Sequence, residues 1–325
     1  MDYDEAYEAA ATYAQASESF REQVSDTERC SNGACFNRSI AAALLEKTAR
    51  GRHLDLGAGN GFLMELSRRS GHEIVGVDVS MRSRAFITTQ VEGATVYPSL
   101  DAAPGRFAII SALEVIEHVA DPISLIARAM ERLEDDGLLI LSVPNVERPY
   151  WRSNGQGEER SFWLQGGVGD TSPHHLTRFT GAGLKRLMEC SGVGDFHVGY
   201  TPLDVVTWLV WDLGMPLTAE VKLAGTHHAM PMLWFQKFLM ENVVLKHWRR
   251  DPSQGYGIMV VARKRAGQAG DLKSLFETTL EDVIKRHLQS LDQDVASRVA
   301  KRFVTSSKNL LSRSAKFARR LSRPR

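Results

Sequence analysis

The chain has 325 residues and a formal net charge of +1, from 40 Lys and Arg against 39 Asp and Glu. That balance excludes a global pull toward nucleic acid or membrane. The apolar and charged fractions, 43% and 24%, exclude a disordered or fibrous chain, and no stretch has the length of uncharged apolar residues needed to span a bilayer. Such a length suits one α/β domain with additions, or a domain and a half. Three cysteines, Cys30, Cys35 and Cys190, are an odd and sparse set that fits a reducing compartment. The start, Met1-Asp2-Tyr3-Asp4-Glu5, is acidic and lacks the basic opening of a secretory signal. The expected location is the cytoplasm, either free or peripheral on a membrane.

Residues 1–50 read as a helical cap. Ala6 to Arg21 is alanine-rich, with Tyr7, Tyr13 and Phe20 available for one face. After a break at Cys30-Ser31-Asn32-Gly33, Phe36 to Arg50 carries Ile40, Ala43, Leu44 and Leu45 at helical spacing. From Arg52 strands alternate with helices: strand 53–56, helix 61–70, strand 73–78, helix 83–91, strand 94–97, strand 107–111, helix 123–133 and strand 138–143. Asp135-Asp136-Gly137 is the turn into the last of these. This order predicts an α/β fold, a Rossmann-like doubly wound sheet with helices on both faces.

The first strand carries the strongest signal. His53-Leu54-Asp55-Leu56 runs into Gly57-Ala58-Gly59-Asn60-Gly61, then a helix from Gly61 to Arg69. Glycines at alternate positions permit turn geometry and close approach to a ligand, and the helix directs its amide dipoles at that ligand. No phosphate-binding Lys or Ser/Thr follows Gly61, so the spacing points to a nucleoside without a phosphate chain. The second strand, Glu73 to Val77, ends in Asp78. That is about 20 residues beyond Asp55, where a carboxylate takes a ribose diol.

This stretch resembles the cofactor site of the class I S-adenosylmethionine-dependent methyltransferases. The resemblance implies S-adenosylmethionine as cofactor, with Asp55 and the Gly57, Ala58, Gly59, Gly61 turn at its methionine end and Asp78 on its ribose. Val79, Ser99, Leu100 and Leu113 would complete the pocket. Many members place an acidic residue after the third strand for the adenine amine. Pro98-Ser99-Leu100 stands there here, with Asp101 one step later, so Ser99 or Asp101 would have to substitute.

Beyond the strand at 107–111 lies Leu113-Glu114-Val115-Ile116-Glu117-His118-Val119, followed by Asp121-Pro122. If helical, this segment puts Glu114, Glu117 and His118 on one face and Val115, Ile116 and Val119 on the other. Two carboxylates and an imidazole at a ligand edge can bind a divalent metal or take a proton from a substrate hydroxyl. Together with His174-His175-Leu176-Thr177-Arg178-Phe179-Thr180, the segment resembles two groups. These are the ubiquinone-biosynthesis type of O-methyltransferase and the small-RNA 2′-O-methyltransferases, which hold magnesium with a Glu, Glu, His, His set. The resemblance maps that set onto Glu114, Glu117, His118 and either His175 or His174. It leaves open a metal, His118 as base without one, or a pocket-shaping role. Thr180 is the expected N-cap of a helix at 183–190.

Between these motifs, 145–170 interleaves Tyr150, Trp151, Phe162 and Trp163 with Arg148, Arg152 and Arg160. A long loop at the ligand edge is usually functional. It reads as an acceptor lid, with Trp151, His174 and His175 toward the substrate, or as a loop packed on the core. Strands at 195–200 and 255–263 would be the last hairpin of a seven-stranded sheet whose final strand is antiparallel. A helical insertion at about 202–254 separates them, carrying Trp208, Trp211, Trp234, Phe235, Phe238 and Trp248. It reads as a substrate cover, a membrane-contacting surface, a dimer interface or an extension of the core.

The methyltransferase domain is thus expected over 51–265. Ala266 to Gly270 reads as a linker and 271–291 as a mixed-charge helix. From Lys301 to Arg325 there is no acidic residue, and Phe303, Leu310 and Phe317 recur at a seven-residue spacing among nine basic residues. That is a basic amphipathic helix suited to an anionic membrane surface, with RNA binding or a disordered tail as the other readings. The expected function is S-adenosylmethionine-dependent O-methylation of a small-molecule, lipid, quinone or lipid-linked glycan acceptor. A soluble sugar methyltransferase, an RNA methyltransferase and a non-catalytic cofactor-binding scaffold are the alternatives. Oligomeric state is not legible in the sequence.

Overall fold

Seven strands make one sheet in the computed structural model, which describes residues 20–21, 24–25, 27, 36–147, 175–202, 237–264 and 271–292. They are β1 (Arg52–Leu56), β2 (Glu73–Val77), β3 (Thr95–Tyr97), β4 (Phe107–Leu113), β5 (Leu133–Pro144), β6 (Asp195–Thr201) and β7 (Gly257–Arg263). The spatial order is β3-β2-β1-β4-β5-β7-β6. Strands β1 to β5 pair in parallel, and β7 is antiparallel to both its neighbours. The order reverses between β1 and β4, which opens a crevice at the C-terminal ends of these strands. The doubly wound sheet with its reversed strand is the one expected from the alternation of motifs.

The inner strands β1, β2, β4, β5 and β7 are largely buried on both faces, as a sheet covered on both sides requires, while the edge strands β3 and β6 are only partly buried. Along β5, Leu138 and Ile140 enter one core while Leu139, Leu141 and Val143 enter the other. Along β7, Met259 and Val261 face the first core, and Ile258, Val260 and Ala262 the second. The first core takes helices α1 (Phe36–Lys47), α2 (Phe62–Arg69) and α3 (Met81–Gln90). The second takes α4 (Pro122–Arg132) and α5 (Gly181–Cys190). Local chemistry sets where the helices begin. Asp121 accepts from Ser124 N at the start of α4, with Pro122 just inside it. Thr180 caps α5 by accepting from Gly183 N, as expected.

Two local expectations are corrected. Pairing along β5 begins at Leu133, opposite Phe107, rather than at Leu138. The register then shifts, and Asp136 takes φ 64, so the expected turn is an irregularity inside a longer strand. The helix expected over Glu114–His118 is absent. Glu114 adopts φ 57, a left-handed conformation rare for a side chain of its size, and a single 3-10 turn follows at Ile116–His118. A left-handed residue breaks the helical repeat, so Glu114 does not share a helical face with Glu117 and His118. The described part of the insertion is helical, as expected, with a π-helical turn, Met240–Val244, before α6 (Leu245–Arg250). Leu239, Met240, Val244, Leu245 and Trp248 are buried in the first core, while Phe238 is exposed. Trp208, Trp211, Trp234 and Phe235 lie outside the described residues.

Helix α7, residues 272–292, also packs into the first core, through Leu272, Phe276, Leu280, Val283 and Ile284. It lies beside α1. Lys47 pairs with Asp282 at 2.8 Å, Arg286 with Glu46 at 2.8 Å, and Phe36 meets the His287 ring edge-on. The apolar spacing hidden within its mixed charge is what this packing uses.

Candidate active site

The glycine turn follows β1, as the sequence indicates. Gly57, Gly59 and Gly61 take φ 72, 55 and 75. Val77 O accepts from Gly57 N at 2.8 Å and from Ala58 N at 3.0 Å, which ties the turn to β2. Gly57 has a second reason to be glycine, because an added Cβ would collide with Val115 Cγ2 from the segment after β4. Among the described residues, a Cβ on Gly59 meets nothing nearer than Gly57 O at 3.9 Å, which leaves this side of the turn room for a ligand. Gly57→Ala combines a left-handed backbone with overpacking. We expect it to lower stability by about 2–4 kcal/mol, read as a lower denaturant midpoint at unchanged m. Wild-type stability would refute this account of the turn.

Asp78, just past β2, is 2% exposed and braces the same turn. Its Oδ2 accepts from Gly59 N at 2.7 Å and its Oδ1 from Ser80 N at 2.9 Å. Arg84 on α3 donates to the carbonyls of Asp78 and Val79 at 2.8 and 2.7 Å. A carboxylate has about four acceptor sites, and these amides use one on each oxygen. Val79 is 63% exposed beside it. After β3, Leu100 is buried and Ser99 is exposed, its hydroxyl accepting from Ala102 N at 3.3 Å. The Asp101 carboxylate is engaged by Arg128 at the surface.

Asp55 sits under the turn on β1, 5% exposed, and accepts from Ser111 Oγ at 2.6 Å. Burial is the main cause that pushes its carboxyl up to about 7. The Ser111 hydrogen bond pulls it down, Asp78 raises it and Arg38 of α1 lowers it. Ser111 also contacts His53, which contacts Ser67. None of these three was singled out from the sequence. His53 and Asp55 do alternate on β1, but which β4 residue lies opposite is a matter of strand register.

Glu114 is not among the side chains whose ligand atoms meet within 4.8 Å, although the His175 imidazole bears on its carboxyl. Glu114 Oε1 accepts from Ser142 Oγ at 2.8 Å and from Asn37 Nδ2 of α1 at 3.1 Å. Burial raises its pKa, and these two hydrogen bonds oppose the shift. Glu117, His118 and His175 come together, with one ligand atom from each within 4.8 Å of the others. The His118 and His175 rings meet edge-on at 4.7 Å, and His118 Nε2 is 4.0 Å from Glu117 Oε1. The chain makes this meeting through backbone, since Glu117 O accepts from Leu176 N at 2.8 Å and from Thr177 N at 3.1 Å. Glu117 and His175 also line a small cleft with Pro144, Val146, Arg178 and Phe179. Leu113 ends β4, half-buried against the first core. Trp151 and His174 lie outside the described residues.

The arrangement fits a nucleoside with a cationic end. An open glycine face lies beside one buried carboxylate held by amides, and a second carboxylate sits beneath the turn. A Glu/His/His group stands at the same sheet edge. Residues 27–194 match a family described as a methyltransferase domain. Ubiquinone biosynthesis O-methyltransferase of Cereibacter sphaeroides is 34% identical over 118 residues, 34% of this chain and 47% of that protein. The protein of the same name from Nitrobacter winogradskyi is 31% identical over 179 residues, 49% of this chain and 65% of that protein. The chain thus spans about half to two thirds of the length of these relatives. Among solved structures, a SAM-dependent methyltransferase from Archaeoglobus fulgidus is 17% identical at a TM-score of 0.45, covering 70% of this chain and 94% of that one. The matched region, 27–194, takes in the glycine turn, both carboxylates and the Glu117–His118–His175 group, and on that match the chain belongs to the family of S-adenosylmethionine-dependent methyltransferases.

Proposed function

We propose that the protein methylates a hydroxyl oxygen of a small aromatic, quinone-type acceptor. The meeting of Glu117, His118 and His175 at the edge that also carries the cofactor turn supports this reading most directly. The relatives named for ubiquinone biosynthesis support the acceptor class. S-adenosylmethionine, when bound, supplies a methyl group made electrophilic by its sulfonium. What remains for the protein is to align the acceptor and remove its proton. Asp78 would hold the ribose and Asp55 the ammonium end. His118 would draw the hydroxyl proton away, either on its own imidazole or through an ion it helps to hold. The test supplies the pure protein with labelled S-adenosylmethionine and, separately, an ortho-dihydroxybenzene, a free sugar and a short RNA. Label in the aromatic ether is expected. Label only in sugar or RNA, or none in any acceptor, overturns the reading.

Glu117, His118 and His175 also fit a divalent ion. One carboxylate and two imidazoles suit a first-row transition ion better than magnesium, which prefers oxygen ligands. Glu114 would be the further oxygen ligand for magnesium, and it is engaged by Ser142 and Asn37. An ion here would act as a Lewis acid on the acceptor oxygen. On this second reading, dialysis against EDTA lowers turnover at least about tenfold, and manganese or zinc restores it better than magnesium. Unchanged turnover leaves His118 as an unassisted base.

We further place the protein in the cytoplasm, with the basic segment 301–325 against an anionic membrane. Its charge and apolar spacing support this, and no helix among the described residues is long and apolar enough to cross a bilayer. Co-sedimentation with anionic vesicles, lost in high salt and absent with zwitterionic ones, tests it. Release by RNA would favour a nucleic-acid role for the tail. Any truncation used here should begin after 292, because α7 belongs to the core.

A further inference from the structure

Beneath the glycine turn, four polar side chains form a line in an otherwise apolar layer between α2 and the sheet. Ser67 of α2, His53 and Asp55 of β1 and Ser111 of β4 are 0%, 0%, 5% and 0% exposed. Ser67 Oγ lies 2.8 Å from His53 Nδ1, and His53 Nε2 lies 2.8 Å from Ser111 Oγ. Ser111 Oγ lies 2.6 Å from Asp55 Oδ1. The strand repeat puts His53 and Asp55 on one face of β1. The parallel register sets Ser111 opposite Asp55, so one hydroxyl reaches both.

Proton counting fixes the direction of the chain when Asp55 is ionised. A carboxylate only accepts, so Ser111 gives its single hydroxyl proton to Oδ1. His53 must then donate through Nε2–H, which leaves Nδ1 to accept from Ser67 Oγ–H. Every donor points toward Asp55. Oδ1 is occupied, and among the described residues Oδ2 accepts no hydrogen bond.

We propose that Ser111 and His53 are positioning residues for cofactor binding: a neutral, Nε2-protonated His53 orients the Ser111 hydroxyl onto Asp55 Oδ1, holding the carboxylate ionised with Oδ2 presented to the ammonium of the ligand. This rests on the methyltransferase reading given above. The groups that bear on Asp55 are Asp78 after β2, Arg38 of α1 and Ser111 of β4, and His72 bears on His53. Burial lowers the His53 pKa to about 3, with His72 adding to the shift, so the ring is neutral throughout the working range. Asp55 is raised to about 7 by burial, and the Ser111 bond works against that rise. Below about pH 7 the free protein carries Asp55 protonated. Binding an ammonium must then release that proton, and affinity falls by up to about tenfold per pH unit as pH decreases.

The experiment measures S-adenosylmethionine affinity by calorimetry from pH 5.5 to 8 for wild type, Ser111→Ala and Ser111→Thr. Wild-type affinity should rise up to about pH 7 and turn down again near pH 8, where the ligand's own α-amino group loses its proton in wild type and variants alike. In Ser111→Ala the rise should move upward by about one pH unit, a loss of roughly tenfold near pH 6.5 that narrows toward pH 8. Ser111→Thr, which keeps the hydroxyl, should restore the wild-type midpoint. Nitrogen NMR of histidine-labelled wild-type protein at pH 8, with His53→Gln for assignment, should show the Nε2–H tautomer. An unmoved midpoint in folded Ser111→Ala, or an Nδ1–H tautomer, overturns the positioning role while cofactor binding by the wild type leaves the methyltransferase reading standing. Absence of binding by the wild type at every pH overturns both.

Discussion

Asp78→Ala should weaken S-adenosylmethionine binding at least about a hundredfold while leaving a folded protein. On the proposed reading this carboxylate takes both ribose hydroxyls. Hydrogen bonds to a charged group contribute about 1.5–3 kcal/mol each, and two of them exceed the roughly 2.7 kcal/mol that a hundredfold represents. The substitution also releases Gly59 N and Ser80 N, which Asp78 holds at 2.7 and 2.9 Å. The turn should therefore loosen, at a cost of about 1–3 kcal/mol in stability for each amide left without a partner. Asp78→Asn keeps one acceptor oxygen and should fall between the two. Calorimetric titration with thermal denaturation of the same samples separates these effects. Wild-type affinity in a folded Asp78→Ala protein would remove Asp78 from the cofactor site.

His118→Ala should lower turnover by roughly 10²- to 10⁴-fold, the range for losing a positioned general acid or base, with little change in cofactor affinity. The imidazole is partly accessible, 23% by side chain, and faces both Glu117 and His175. It is thus open enough to meet an acceptor. His175→Ala should cost less if His118 acts alone, and about as much if the two share an ion. Single-turnover rates with an ortho-dihydroxybenzene acceptor distinguish these cases. Full turnover in His118→Ala would end both the base and the ligand assignments.

Much of the cofactor half of the site was legible in the chain because it is local. Asp55, the three glycines and Asp78 lie within two strands and a turn, and left-handed turn geometry is written directly in glycine. The meeting of Glu117 and His118 with His175 was suggested only by resemblance, since more than fifty residues intervene. The helical face expected for Glu114, Glu117 and His118 does not form, because the first of the three residues is left-handed. Nothing in the local pattern signals that conformation. It accompanies a carboxylate tied to Ser142 of β5 and Asn37 of α1.

By itself, then, the sequence determined the alternating α/β order, the glycine turn and its two carboxylates, because these follow from short-range periodicity and backbone freedom. Only the tertiary structure decided that Ser111 stands opposite Asp55, that His53 and Ser67 extend that contact into a buried chain, and that α7 completes the first core rather than trailing from it. Strand register and helix docking are set by which apolar faces bury together across long separations. A polar side chain acquires its partner from that burial and not from its neighbours in sequence.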